Sequence, residues 1–160
     1  MTVKRRGKAM EQAVLDKHLV LDRQLCFAVY ATAHAFTRAY KPLLDPLGLT
    51  YPQYLVMLVL WEKGEVPVKA IGQSLDLDSG TLSPLLKRLE QAGLITRLRD
   101  VNDERQVLVR VTEKGLALKK QAAGVLGAIG KAIGCDSDEI DALRQRLHDL
   151  RAQLQSSQDG

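Results

Sequence analysis

The stretch that decides the fold is "LDSGTLSPLLKRLEQAGLI", Leu77 to Ile95. Leu82, Leu85, Leu86 and Leu89 recur at helical spacing and form one apolar stripe. Gly93 supplies a C-terminal stop, and Pro84, which has no N–H, allows the helix to start only slightly upstream. Asp78, Ser79 and Thr81 are the candidate caps. The other face is polar, with Ser79, Thr81 and Ser83 at its start and Lys87 and Arg88 beyond. An ordinary amphipathic helix with a solvated charged face would read the same way, so the neighbouring segments must decide.

Upstream, "VPVKAIGQSLDLD" (66–78) reads as a turn and a short helix over about 68–75. Before it, Thr50 and Gln53 form a capping box for a helix that carries "YLVMLVLW" and stops near Gly64. "DPLGL" (45–49) separates this helix from a long first one over about 17–44. On that first helix Leu21, Leu25, Val29, Thr32, Phe36, Tyr40 and Leu43 recur at helical spacing.

Downstream the period changes to two. Over 94–112, Val107, Val109 and Val111 face one way and Gln106, Leu108 and Arg110 the other, with "DVNDER" as the tip between two short strands. Thr112 caps a further helix over roughly 113–132. Asp136 and Ser137 open a last one, where Ile140, Leu143, Leu147, Leu150 and Leu154 follow at steps of three and four. That stripe suits a partner helix or the chain's own first helix equally. Residues 1–15, with Lys4, Arg5, Arg6 and Lys8, read as a basic arm or frayed helix start, and the polar tail from Gln155 as disordered.

Composition sets the outer bounds. The 160 residues are 46% hydrophobic, enough for one real core, and only 4% aromatic with abundant Leu and Ala, which points to a mainly helical chain. A net charge of +4 and a pI near 9.1 suit an anionic partner without requiring one. Two cysteines make no disulfide scaffold, and with three scattered histidines no metal site or cofactor is expected. "KRRGK" ahead of "LCFAVYATA" resembles a leader, but Glu11, Asp16 and Asp22 interrupt it. No run approaches the ~20 apolar residues of a membrane span. A cytoplasmic chain with reduced thiols is the expectation.

Helix, tight turn, helix and an Arg-bearing hairpin follow one another in the order of a winged helix–turn–helix. The expected fold is therefore mainly α with a small β-hairpin, and double-stranded DNA is the partner its chemistry suits. Ser79, Thr81 and Ser83 stand where hydroxyls and free helix N–H groups meet phosphates and base edges. Lys87 and Arg88 are placed to grip the backbone. Arg97, Arg99, Arg105 and Arg110 decorate the hairpin, whose tip offers Arg105 to a minor groove, with Asp103 as its brace.

At this point a resemblance becomes specific. "DERQVLVRVTEKG", with Asp103, Arg105, Thr112 and Gly115, resembles the wing of the MarR family of transcriptional regulators. "LDSGTLSPLLKRLEQAGLI" resembles the recognition helix of its organic-hydroperoxide-sensing OhrR branch, and the likeness covers about 18–154. It implies a single domain over 1–160. Helices at about 18–48 and 113–154 would form a dimerisation region, 50–112 the DNA-binding winged helix, and 1–15 the basic arm.

The resemblance also bears on "RQLCFAVYATAHAF", Arg23 to Phe36. A free cysteine in an apolar helix is ordinarily inert packing. Tyr40 lies fourteen residues beyond Cys26, within about 40° of the same face but ~21 Å along the axis, so the two meet only across antiparallel copies of the helix. Tyr51 points to the same region. In the family it resembles, two tyrosine hydroxyls of the partner subunit bond the sensing thiolate, and Tyr40 and Tyr51 occupy the matching positions. For Tyr30 a core or interface aromatic is the better reading.

Hydroxyl donors, with Arg23 as an added charge, would favour the thiolate, which attacks a peroxide to give a sulfenic acid. Phe27, Val29 and the next helix offer an apolar surround, favouring organic or lipid hydroperoxides. Cys135, in "IGCDS" before a helix N-terminus, matches the resolving thiol of the two-cysteine subgroup. The implied function is a homodimeric repressor that leaves a palindromic operator when an organic hydroperoxide oxidises Cys26. Release by a noncovalent aromatic ligand is the nearest alternative, and a thiol peroxidase the alternative of another class. Against an enzyme stand the wing and the lack of a peroxidatic motif around Cys26.

Overall fold

The computed structural model describes residues 17–101, 103 and 105–157; the basic arm at 1–15 lies outside them. The helices are α1 (Leu25–Leu44), α2 (Tyr51–Lys63), α3 (Val68–Leu75), α4 (Ser79–Gln91), α5 (Glu113–Ile133) and α6 (Ser137–Ser156). The strands are β1 (Glu65–Pro67), β2 (Ile95–Arg99) and β3 (Val107–Val111). The chain divides into two compact units at Pro42–Leu43. Pro42 sits inside α1, where it has no N–H to offer the carbonyl four residues back. Among the described residues no single helix is long and apolar enough to cross a membrane.

In the first unit the helix begins later than its periodicity suggests. Leu21–Arg23 form a 3-10 turn and Gln24 is extended, so α1 starts at Leu25 rather than near 17. The Gln24 side chain donates to the carbonyls of His18 (2.7 Å) and Val20 (3.2 Å), which stabilises this break. Leu25, Val29, Tyr30 and Phe36 are all exposed along α1.

The second unit holds the core. Tyr54, Met57 and Leu60 of α2, Ile71 of α3, and Leu82, Leu86 and Leu89 of α4 are fully buried with Ile95 and Val109 of the strands. The capping box is present: the Thr50 hydroxyl accepts from the Gln53 N–H, and the Gln53 side chain accepts from the Thr50 N–H. Asp78 caps α4, and Pro84 is accommodated inside it.

The sheet departs from the expected hairpin. It has three antiparallel strands in the order β1–β3–β2, with Val66 opposite Val109 and Arg97 opposite Val109 on the other side. A three-residue strand ending in proline carries almost no periodicity, and Pro67 is tolerated because β1 is an edge. The end of the chain also differs. The helix α6 continues past Gln155 through Ser156, closed by the Ser156 and Ser157 hydroxyls on the carbonyls of Gln153 and Leu154, and the remainder of the expected tail, 158–160, lies outside the described residues.

One junction joins the elements of this unit. The Thr112 N–H donates to the Leu94 carbonyl (3.0 Å) and its hydroxyl to the Gly93 carbonyl (2.7 Å). The same hydroxyl accepts the Gly115 N–H (3.1 Å), and the Gly115 carbonyl accepts from the Trp61 indole (2.9 Å). Gly115 is required by crowding. A Cβ there would sit 2.3 Å from the Leu94 carbonyl oxygen and 2.7 Å from a Val111 methyl. Gly115→Ala is expected to destabilise the fold by about 1–3 kcal/mol, as for other overpacked sites, read as a lower urea midpoint.

Candidate nucleic-acid interface and thiol site

The helices α3 and α4 are joined by a tight turn at Asp76–Asp78. Asp76 is left-handed (φ 56°), and the Leu77 N–H returns to the Gly72 carbonyl at 2.9 Å. Gly72 permits this approach, because a Cβ there would lie 2.9 Å from the Leu77 carbonyl oxygen. The turn presents the N-terminus of α4 at the surface. Asp78 accepts from the Thr81 N–H (2.8 Å) and the Thr81 hydroxyl (2.9 Å). Those two bonds, the backbone one first, hold its exposed carboxyl below the ordinary range.

These bonds refine the expected hydroxyl contacts. Thr81 spends its proton on Asp78, and Ser83 donates to the Ser79 carbonyl at 2.7 Å. A phosphate only accepts, so in this arrangement Thr81 and Ser83 retain accepting capacity alone, suited to base amino groups. The Ser79 hydroxyl is the one of the three with no hydrogen-bond partner among the described residues. Lys87 and Arg88 are exposed on the polar face of α4.

The wing arginines divide into two pairs. Arg97 donates to Glu90 through Nε (2.9 Å), Nη2 (2.6 Å) and its backbone N–H (3.2 Å). Glu90 is held below its usual carboxylate range chiefly by those side-chain hydrogen bonds. Arg110 is bound to Glu65 of β1 through Nε at 2.6 Å. Their acidic partners lie seven and 45 residues away, brought close only by folding. Arg99 and Arg105 are exposed, with no acceptor among the described residues.

Asp103 does brace the tip, though through the main chain. It accepts from the Arg105 N–H (3.1 Å) and the Gln106 side chain (3.0 Å), and these bonds, Gln106 first, lower its pKa. The Arg105 guanidinium is left to reach outward.

Between α3, the start of α4 and the wing runs an open groove of about 1170 Å³. It brings together Ser79, Ser83, Arg97, Asp103 and Arg105, while Thr81, Lys87, Arg88 and Arg99 lie outside its lining. Lys69 and Gln73 of α3 also line it. The sequence reading missed both, although their i, i+4 spacing on a short helix was a usable signal.

Cys26 occupies the first turn of α1 and is exposed, where an apolar segment had suggested a covered sulfur. Arg23, three residues before it, donates to the Lys17 carbonyl at 3.3 Å. Tyr40, on α1, is half-buried, as is Tyr51 at the start of α2. Burial raises the pKa of Tyr51 and, with Tyr51 as a second cause, that of Tyr54, so both stay protonated donors at neutral pH. Further along α1, Tyr30 meets His34 edge-on with ring centroids 4.3 Å apart.

Cys135 is exposed beside Gly134, the left-handed end of α5, and its thiol lies 3.8 Å from the Ile133 carbonyl. Asp136 already caps α6, accepting the Glu139 N–H at 2.9 Å, so a carboxylate occupies the positive end. Among the described residues no cluster of His, Cys, Asp and Glu could hold a metal.

A short helix, a tight turn, a second helix with an open N-terminus and an arginine-bearing wing define a winged-helix DNA-binding protein. The family model described as "Transcriptional regulator SarA/Rot" matches residues 38–122. The chain is 52% identical to the HTH-type transcriptional regulator TtmR of Methylorubrum extorquens (strain PA1), over 93% of this chain and 76% of that protein. It is 48% identical to the organic hydroperoxide resistance transcriptional regulator of Bacillus subtilis (strain 168), over 83% and 90%. Reduced AbfR bound to DNA superposes with a TM-score of 0.73 at 38% identity, over 85% of this chain and 93% of that one. AbfR with its disulfide formed superposes at 0.59, with 38% identity over 89% and 98%. The chain belongs to the MarR family of winged-helix transcriptional regulators, and is a DNA-binding regulator.

Proposed function

We propose that this regulator is a homodimeric, cytoplasmic repressor that leaves a palindromic operator when an organic hydroperoxide oxidises Cys26. The observation that carries this reading is the setting of Cys26. It is an exposed thiol on a helix whose apolar neighbours Leu25 and Val29 are exposed with it, a surface that a second copy would cover. The other end of the chain has the same character: α6 buries no residue, and Leu143, Leu147 and Leu154 are open. We assign about 18–48 and 113–154 to pairing within one 1–160 domain, and 50–112 to DNA.

In the dimer, Tyr40 and Tyr51 of one copy donate to the thiolate of the other, since Tyr40 lies ~21 Å from Cys26 along its own helix. The thiolate attacks the distal peroxide oxygen; an S–O bond forms, the O–O bond breaks, and the alkoxide takes a proton and leaves as the alcohol. The Cys135 thiol of the other copy then displaces water from the sulfenic acid, giving an intersubunit disulfide. A palindrome places half-sites ~34 Å apart, so a small rotation misaligns the two recognition helices. A hundredfold loss of affinity requires only about 2.7 kcal/mol.

At the operator, Ser79, Lys87 and Arg88 of α4 and Arg99 and Arg105 of the wing are the contacts we assign. Thr81 and Ser83 accept from base amino groups, while Arg97 and Asp103 hold the wing in shape. Salt titrations separate these roles. Arg105→Ala is expected to lower the slope of log affinity against log salt by about one, whereas Arg97→Ala weakens binding with an unchanged slope. Equal slope changes would overturn the division.

The sensor assignment is tested by operator binding before and after one equivalent of cumene hydroperoxide. Wild type should release DNA, Cys26→Ser should stay bound, and non-reducing gels should show an oxidised dimer band that Cys135→Ser lacks. Release by the Cys26→Ser protein would remove Cys26 from the mechanism, and sustained peroxide turnover with a thiol reductant would favour a peroxidase.

A further inference from the structure

Near its C-terminal end, α6 makes a contact outside its own helix. The Arg151 guanidinium lies 3.3 Å from the carboxylate of Asp76. Asp76 closes α3 in a left-handed conformation (φ 56°) and opens the tight turn that leads into the recognition helix. It also lines the groove between α3, the start of α4 and the wing. The ion pair thus brings a cation from the last helix of the chain to the edge of the surface assigned to DNA.

Among the described residues three carboxylates line that groove: Asp76, Asp78 and Asp103. Each opposes the approach of a phosphate backbone, because like charges repel. Asp78 and Asp103 have structural work there, the first capping α4 through Thr81 and the second bracing the wing through the Arg105 N–H and Gln106. Asp76 has no cap or brace of that kind among the described residues, and its recorded partner is Arg151. We propose that Arg151 is a charge-balancing residue for operator binding. It neutralises Asp76 at the rim of the DNA groove, so that the C-terminal helix completes the reading surface.

An exposed ion pair adds little to the stability of a folded chain. A phosphate chain is a more sensitive reporter. Within a Debye length, ~10 Å at ~0.1 M salt, it responds to whether the rim is neutral or carries one negative charge. A dimer on a palindrome presents two such rims, so the effect counts twice. The contacts assigned above all lie within 50–112; this one adds a residue from the dimerisation region, and it rests on the assignment of the groove to DNA.

The test uses the reduced full-length dimer and a DNA site selected by it from a random pool, at about 50 mM and about 200 mM salt. Arg151→Gln should bind about tenfold more weakly at the lower salt, the scale of two exposed charge interactions, and the loss should narrow at the higher. Arg151→Lys keeps the charge and should stay within about threefold of wild type. Asp76→Asn suits the left-handed backbone and should bind more tightly than wild type. Combining it with Arg151→Gln should restore affinity to within about twofold of wild type, because the net charge of the rim is then unchanged. A double variant as weak as Arg151→Gln alone would overturn the proposal, since a bare Asp76 would not be the cause. So would Arg151→Gln binding like wild type while Arg105→Ala binds weakly. If Arg105→Ala and Arg151→Gln both bind like wild type, the groove is not the DNA surface and the assignment beneath the proposal falls with it.

Discussion

The constraint on which the rest of the second unit depends is the crowded junction around Thr112. Its hydroxyl donates to the carbonyl that ends the recognition helix and accepts the N–H that starts α5. Its backbone N–H holds Leu94, three residues past the end of that helix, whose carbonyl lies so close to Gly115 that no side chain fits. Lys114 adds a contact to the Ala92 carbonyl at 2.7 Å, and Trp61 ties α2 to the same point. Recognition helix, wing and α5 thus share a single welded corner, in which several short polar bonds must be broken together before one element can move alone.

That corner gives α5 a mechanical meaning. The helix is 21 residues long and carries Gly134 and then Cys135 at its far end. Leu118, Ala122, Val125 and Ile129 are buried along it, and Gly124, Gly127 and Gly130 between and beyond them have open space where a side chain would be. The hydrogen bonds of the corner join α5 to α4 and the wing, and the release switch proposed above would act through that joint.

The parts of this design that are local were legible in the chain. Thr50 with Gln53, Asp78 before a leucine stripe, and valines alternating after a charged tip each fix a structure within a few residues, and each is present. What could not be read depended on distant residues. Glu65 and Arg110 meet only after β1, three residues ending in proline, joins the sheet. Glu90 and Arg97 meet only once β2 turns back along the recognition helix. At the candidate sensor an apolar helix around a cysteine is ordinarily inert packing, yet the single chain leaves Cys26 open. Hydrophobicity marks a surface to be covered, and cannot tell whether the cover is the chain itself or a second copy.

The most direct test of the welded corner is pulsed EPR on dimers in which one copy carries non-cysteine spin labels at Gln91 and Ala123, both exposed, with the sensing thiols intact. Distances should be taken before and after one equivalent of hydroperoxide, with a second sample labelled at Gln91 in both copies. The expected result is an unchanged distance within the chain and a shifted distance between the two recognition helices. A distance within the chain that moves or broadens on oxidation would contradict the account, because the junction would then be the part that yields.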